Sequence, residues 1–115
     1  MAEPQMTPQL QQQVAQLQAM NQQLSNTAQQ RAQYEAMKAE SEQALEALSG
    51  LDPKAAVYRS VGALLVQDTH AAATERLKED VETLTLRATR LQKQEGELRT
   101  QLQALQQKLQ AAFKA

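Results

Sequence analysis

The sequence contains no cysteine, one histidine and three glycines in 115 residues. Without cysteine it can form neither disulfides nor thiolate sites, which is typical of proteins in a reducing compartment. A transition-metal site would have to use carboxylates with His70 alone, so we expect no metal. Glycines at 50, 62 and 96 cannot form a phosphate-binding loop or a dinucleotide fingerprint. We therefore expect no cofactor, no catalytic residues and no enzyme activity.

The chain also lacks a large net charge and long apolar runs. A formal net charge of −1 argues against a nucleic acid or an anionic membrane as partner, so we expect neither. No apolar run is long enough to cross a bilayer. The N-terminus lacks a basic segment followed by an apolar run, so we expect no secretory signal and a cytoplasmic location.

The residues that are abundant favour helices. Glutamine and alanine dominate, and aromatic residues make up only 3%, which leaves few large side chains for a globular core. Spacings of three and four predict a first helix over 7–49, with Thr7 as its N-cap and Pro8 at its first position. Gly50 is expected to end it in a left-handed conformation, and Pro53 prevents continuation. The predicted seam is Leu10, Val14, Leu17, Asn21, Leu24, Ala28, Arg31, Tyr34, Met37 or Lys38, Ser41, Leu45 and Leu48.

A second helix is predicted over 69–113, capped by Asp68 or Thr69. The seam positions of this helix alternate strictly between spacings of four and three residues, and ten of the eleven positions are apolar. The seam comprises Leu77, Val81, Leu84, Ala88, Leu91, Glu95, Leu98, Leu102, Leu105, Leu109 and Ala112. Two helices of similar length around a short connection predict a long antiparallel two-helix coiled coil.

The two seams contain one charged residue each. Two successive steps of three from Ala28 to Tyr34 predict a phase shift in the first helix. Antiparallel pairing places Arg31 near Glu95, where the pair would fix the register of the helices. The alternative is that both side chains extend separately to water.

The connection at 55–67 is the part of the chain that does not favour helix. Its β-branched and aromatic residues, with Gly62 near the middle, predict a β-hairpin. A lone hairpin is marginally stable and has two open edges, so we expect it to pair with hairpins of other subunits. The predicted oligomerisation residues are Val57, Tyr58, Val61, Gly62, Leu64, Leu65 and Val66.

Two uncharged tracts, 4–30 and 100–107, meet at the end of the helix pair that lies away from the hairpin. Apolar and methionine side chains there can hold apolar segments of many partners. Alternatively, the glutamines are soluble helix formers and the apolar residues belong only to the seam. The predicted client-binding residues are Met6, Leu10, Val14, Leu105, Leu109 and Phe113.

Three runs resemble the beta-type subunits of the prefoldin family, in their archaeal more than their eukaryotic form: 57–66 (VYRSVGALLV), 82–87 (ETLTLR) and 91–95 (LQKQE). The resemblance covers about 8–109, so the whole chain, 1–115, is expected to be one beta-type unit. It implies that hairpins of two alpha-type and four beta-type subunits form intersubunit β-barrels. It also implies that the helix ends hold unfolded client proteins and pass them to a group II chaperonin without ATP.

One residue departs from the family pattern. Gly96 stands where a charged or helix-favouring residue is usual, which lowers the expected stability of the second helix. The competing interpretation of the whole chain is a coiled-coil scaffold that assembles but binds no clients. A nucleic-acid-binding helical arm is disfavoured because no basic stripe is present.

Overall fold

The computed structural model describes residues 7–114, which form two helices separated by a two-stranded sheet. The elements are α1 (Pro8–Ser49), β1 (Val57–Val61), β2 (Leu64–Asp68) and α2 (His70–Lys114). The mainly helical fold with a central antiparallel hairpin is confirmed. The strands begin and end one or two residues later than the predicted 55–67, and α2 is shifted by one residue from the predicted 69–113.

The residues group into two compact units. The hairpin unit is Ala32–Thr89, and the helix-end unit consists of 7–31 and 90–114. Each unit contains one segment of α1 and one of α2. In the helix-end unit Arg31 pairs with Glu95, and in the hairpin unit the Arg87 guanidinium lies 5.8 Å from the centre of the Tyr34 ring.

A threonine hydroxyl caps the N-terminus of each helix. The Leu10 N–H donates to Thr7 Oγ1 (3.1 Å), and the Ala72 N–H donates to Thr69 Oγ1 (3.1 Å). Each hydroxyl satisfies one of the amides that has no carbonyl partner within its helix. Thr69 is therefore the cap of α2, and Asp68 is the last residue of β2.

Helix α1 ends at Ser49 as predicted, but the predicted left-handed conformation of Gly50 is wrong. Among the described residues only Gly62 has a positive φ, so Gly50 is not left-handed. Instead the last turn tightens, because the Gly50 N–H donates to the Ala47 carbonyl (3.3 Å) and the Leu51 N–H to the Leu48 carbonyl (3.1 Å). These shorter-range bonds satisfy the terminal carbonyls that a left-handed residue would otherwise serve.

The seams follow the predicted spacing with three corrections. Met20 is half-buried while Asn21 is exposed, Thr27 is buried while Ala28 is half-buried, and Ala112 is exposed. Of the two residues predicted for one position, Lys38 is half-buried and Met37 is exposed.

The predicted phase shift is wrong, because Thr27 is buried whereas Ala28 is half-buried, and the inward positions from 20 to 38 alternate regularly between spacings of four and three. These positions are Met20, Leu24, Thr27, Arg31, Tyr34 and Lys38. The apolar core of the described chain is small: Leu48, Ala73, Leu84, Ala88 and Leu109.

The two strands pair antiparallel, with Val57 opposite Asp68 at the base and Val61 opposite Leu64 at the tip. Gly62 and Ala63 form a two-residue loop, and Gly62 has a φ of 58°. Glycine with positive φ at the first loop position is the requirement of a type II′ turn, whose twist matches that of the strands. Gly62 therefore fixes the register of the hairpin.

Candidate functional site

The hairpin exposes apolar side chains on both faces. Residues opposite one another across the strands share a face, so the register defines the two sets. The first face contains Val57, Arg59, Val61, Leu64, Val66 and Asp68. The second face contains Tyr58, Ser60, Leu65 and Gln67.

The tip of the hairpin is the most exposed apolar part of the described chain. Leu64 is 68% and Leu65 is 75% exposed, and Tyr58, Val61 and Val66 are also exposed. Of the residues predicted to mediate oligomerisation, Val57 at the base of the hairpin is half-buried and the others are exposed. A soluble protein rarely leaves a continuous apolar patch in water unless the patch binds something.

An open groove of about 350 Å³ lies between the base of the hairpin and the adjoining helices. We call it the base groove. Its lining is mostly apolar: Ala44, Ala47, Leu48, Leu51, Val57, Tyr58, Arg59, Asp68, Ala73, Arg76 and Leu77. The groove is not apparent in the sequence, since Leu51 and the small alanines meet only when the chain folds.

Two of the charged residues in the base groove neutralise each other. Arg76 Nη2 donates to Asp68 Oδ2 (2.6 Å), and the Thr69 N–H donates to Asp68 Oδ1 (2.9 Å). The Arg76 guanidinium and the Thr69 amide lower the pKa of the Asp68 carboxyl below its ordinary value. The carboxylate is therefore held ionised at neutral pH.

The predicted client-binding residues fall into three groups. Val14, Leu109 and Phe113 line one open groove of about 390 Å³ with Leu17, Gln106 and Gln110, which we call the helix-end groove. Leu10 and Leu105 are half-buried beyond its lining. Met6 lies outside the described residues.

Within the helix-end groove, accessibility differs from residue to residue. Leu109 is 5% exposed and forms the floor, whereas Phe113 is 43% exposed. Val14 and Leu17 reach the groove from α1. Phe113 is thus the aromatic side chain of this groove that remains available to a partner.

A buried carboxylate with two arginines lies elsewhere in the helix-end unit. Glu95 is 1% exposed, and its Oε1 accepts a hydrogen bond from Arg31 Nε. Arg99 Nη2 donates to the other oxygen, Oε2, at 3.3 Å. Since buried carboxylates require partners, this cluster links the two seams at a defined register. The predicted Arg31–Glu95 pair is confirmed.

His70 is not the exposed residue that its position suggests. Its Nε2 lies 2.6 Å from the Leu48 carbonyl oxygen, and its side chain is half-buried. A carbonyl only accepts, so the proton is on Nε2. His70 therefore ties the start of α2 to the end of α1.

Neither a metal centre nor a membrane segment appears in residues 7–114. No group of three or more histidine or acidic side chains there could hold a metal ion. None of the described helices is long and apolar enough to cross a membrane.

The comparisons with known proteins agree on one family. A family model described as "Prefoldin subunit" matches residues 11–115. The prefoldin subunit beta of Methanosarcina acetivorans is 42% identical over 106 residues, covering 92% of this chain and 91% of the relative. That of Archaeoglobus fulgidus is 45% identical over 103 residues, covering 90% and 89%.

A solved structure supports the same assignment. The crystal structure of the prefoldin beta subunit from Thermococcus strain KS-1 matches with a TM-score of 0.87 and 34% identity. The match covers 96% of this chain and 97% of that one. The two long helices and the central hairpin, together with these relatives, show that the chain belongs to the prefoldin subunit family, with archaeal beta subunits among its relatives.

Proposed function

We propose that the chain is a subunit of an ATP-independent chaperone that holds unfolded polypeptides at its helix ends. The observation that carries the proposal is the helix-end groove, an open apolar surface with Phe113 accessible. None of its six lining residues is charged, and the two from α1 belong to the uncharged tract 4–30. An unfolded client offers scattered apolar segments, which an open apolar surface can contact without a shaped pocket.

One groove of this size binds an unfolded segment weakly. Linking several copies raises the effective concentration of the remaining sites once one of them is occupied. We therefore propose that the hairpin assembles the chain with other subunits, so that several helix ends act on one client. The exposed apolar tip and the unpaired edges of both strands support this role.

The family resemblance defines the assembly that we propose. Two alpha-type and four beta-type subunits would form a hexamer through β-barrels made of their hairpins, with this chain, 1–115, as one beta-type unit. The complex would act in the cytoplasm and transfer its clients to a group II chaperonin. This function is binding and release, so it needs no cofactor and no catalytic residue.

The experiment is a light-scattering assay of a chemically unfolded test protein diluted into buffer with the assembled subunit. Val14→Gln combined with Phe113→Gln makes the helix-end groove polar and leaves the buried floor at Leu109 unchanged. We expect most of the suppression of aggregation to be lost. Leu86→Gln is the matched control, because Leu86 is 62% exposed on α2 but outside the groove.

The control should suppress aggregation as the unmodified chain does. Native mass should be the same for all three proteins, so that equal oligomer concentrations are compared. Full suppression by the double variant would contradict client binding at the helix ends and favour a scaffold without clients.

A further inference from the structure

Charge is distributed unevenly between the two units of the chain. The hairpin unit, 32–89, contains ten acidic and six basic residues, a net charge of −4. The described part of the helix-end unit, 7–31 and 90–114, contains two acidic and six basic residues, a net charge of +4. The net charge of −1 for the whole chain therefore does not describe the helix-end unit, which is cationic.

Both acidic residues of the helix-end unit lie away from the helix-end groove. Glu95 is 1% exposed, and each of its oxygens accepts a hydrogen bond from an arginine. Glu97 is exposed, but it precedes Gln106 by nine residues, which is about 14 Å along α2. Neither 7–30 nor 98–114 contains an acidic residue. Within residues 7–114, no negative side chain therefore lies beside the groove.

Three cations lie along the same part of α2. Lys108 falls within the span that lines the groove, 106–113, and Lys114 follows Gln110 by four residues, about one helical turn. Both lysines are exposed, and neither forms an ion pair within 7–114. Arg99 is 60% exposed and precedes Gln106 by seven residues, on the same helix face. The electrostatic potential around the groove is therefore positive.

An apolar groove in a positive potential favours one class of unfolded segment. Apolar side chains of a client can contact Val14 and Phe113, while carboxylates on either side of them meet Lys108 and Lys114. Segments flanked by basic residues are repelled by the same lysines. An exposed ion pair changes an affinity by up to about fivefold, so two pairs give roughly tenfold discrimination.

We propose that the helix-end groove selects unfolded client segments in which acidic residues flank an apolar core. The inference rests on the proposed client binding at the helix ends and adds a sequence preference to it. The selection acts through Lys108 and Lys114, because no carboxylate of the described chain pairs with either of them.

Three labelled peptides measure this preference. They share one apolar core and differ only in their flanking residues, which are aspartate, asparagine or lysine. Fluorescence anisotropy with the assembled subunit gives the affinity of each peptide at about 0.15 M salt, where the screening length is about 8 Å. We expect the aspartate peptide to bind roughly tenfold more tightly than the asparagine peptide, and the lysine peptide to bind most weakly. At about 1 M salt the three affinities should converge, since the screening length falls to about 3 Å.

Charge reversal on α2 identifies the residues responsible. Lys108→Glu combined with Lys114→Glu should reverse the order of the aspartate and lysine peptides. Lys108→Gln combined with Lys114→Gln leaves no new charge near the end of α2 and should make the aspartate and asparagine peptides bind equally. Circular dichroism and native mass check that both variants remain helical and assembled.

The matched control is Arg90→Glu combined with Lys93→Glu, which changes the net charge equally at exposed positions of the same helix. Lys93 precedes Gln106 by thirteen residues, about 20 Å along α2, so its charge is screened from the groove. This control should keep the preference for the aspartate peptide.

The asparagine peptide separates this inference from the proposed function. If it binds and flanking charges leave its affinity unchanged, or if the control variant loses the preference, the inference is wrong and client binding at the helix ends stands. If none of the three peptides binds, both proposals are wrong. Binding of the aspartate peptide that survives Val14→Gln combined with Phe113→Gln would also contradict both, because the site would lie outside the groove.

Discussion

Arg31 of α1 donates a hydrogen bond to Glu95 of α2, which is 1% exposed. Arg31 and Glu95 each occupy an inward position of a seam that is otherwise mostly apolar. Arg99 binds the second oxygen of Glu95, so the carboxylate keeps a partner if Arg31 is removed. The register of the helix-end unit thus depends on a buried polar cluster as well as on apolar packing.

A double-mutant cycle measures this pair. Arg31→Ala, Glu95→Ala and the double variant should give a coupling free energy of about 1.5–3 kcal/mol, as expected for hydrogen bonds to charged groups. The measurement is urea unfolding at one fixed protein concentration, since assembly shifts apparent stability. Additive single effects would show that the two charges do not interact in solution.

Acid sensitivity should come from the base of the hairpin. Arg76 lowers the pKa of Asp68, so ionised Asp68 stabilises the fold above its unfolded-state pKa of about 4. This stabilisation disappears as the pH falls through the lower folded-state pKa. Asp68→Asn should therefore lower the melting temperature at pH 7, and the difference from the unmodified chain should vanish in strong acid.

The exposed Asp80 on α2 provides the control for this experiment. Asp80→Asn should change the melting temperature little at pH 7. A constant difference between Asp68→Asn and the unmodified chain from pH 7 down to pH 2 would contradict the assigned role of the Asp68–Arg76 pair.

Gly96 weakens α2 without a compensating contact. It lies inside the helix, its φ is not positive, and a Cβ added there would meet nothing within 4 Å. Gly96→Ala should therefore raise the free energy of unfolding by about 1 kcal/mol, the helix propensity difference between the two residues. Urea unfolding followed by circular dichroism measures the change, and a decrease in stability would contradict this account of Gly96.

The hairpin tip should control assembly. Leu64→Lys combined with Val66→Lys places two charges on the exposed apolar part of the hairpin, so native mass spectrometry should show smaller species that remain helical. Met37→Lys combined with Leu86→Lys also replaces two exposed apolar residues, but on the helices. That control should assemble normally, and unchanged assembly of the tip variant would contradict the role of the hairpin.

Local rules predicted most of this fold from the sequence. Leucine spacing in α2, the threonine caps and Gly62 each depend on a few neighbouring residues, so pattern and propensity were sufficient. Gly50 was mispredicted because tightened hydrogen bonds ended α1 as effectively as a left-handed residue. His70 and the base groove were missed because their partners lie on other elements, which a linear pattern does not bring together.

The candidate binding surfaces were predicted less completely. Tyr58, Leu64 and Leu65 were identifiable because a strand without a core exposes them. The separate positions of Leu109 and Phe113, one on the floor and one accessible, depend on how α1 covers α2 in the helix-end unit. Spacing alone assigns both residues to the same end and cannot rank their exposure.

The central claim is that the hairpin assembles the chain and the helix ends bind clients. Deleting 1–18 and 104–115 removes Val14, Leu109 and Phe113 and keeps the hairpin with its adjoining seam. Light scattering of an unfolded test protein, at equal oligomer concentration confirmed by native mass, tests the claim most directly. We expect the truncated chain to assemble and to lose most of its suppression of aggregation; full suppression, or loss of the oligomer, would contradict the account.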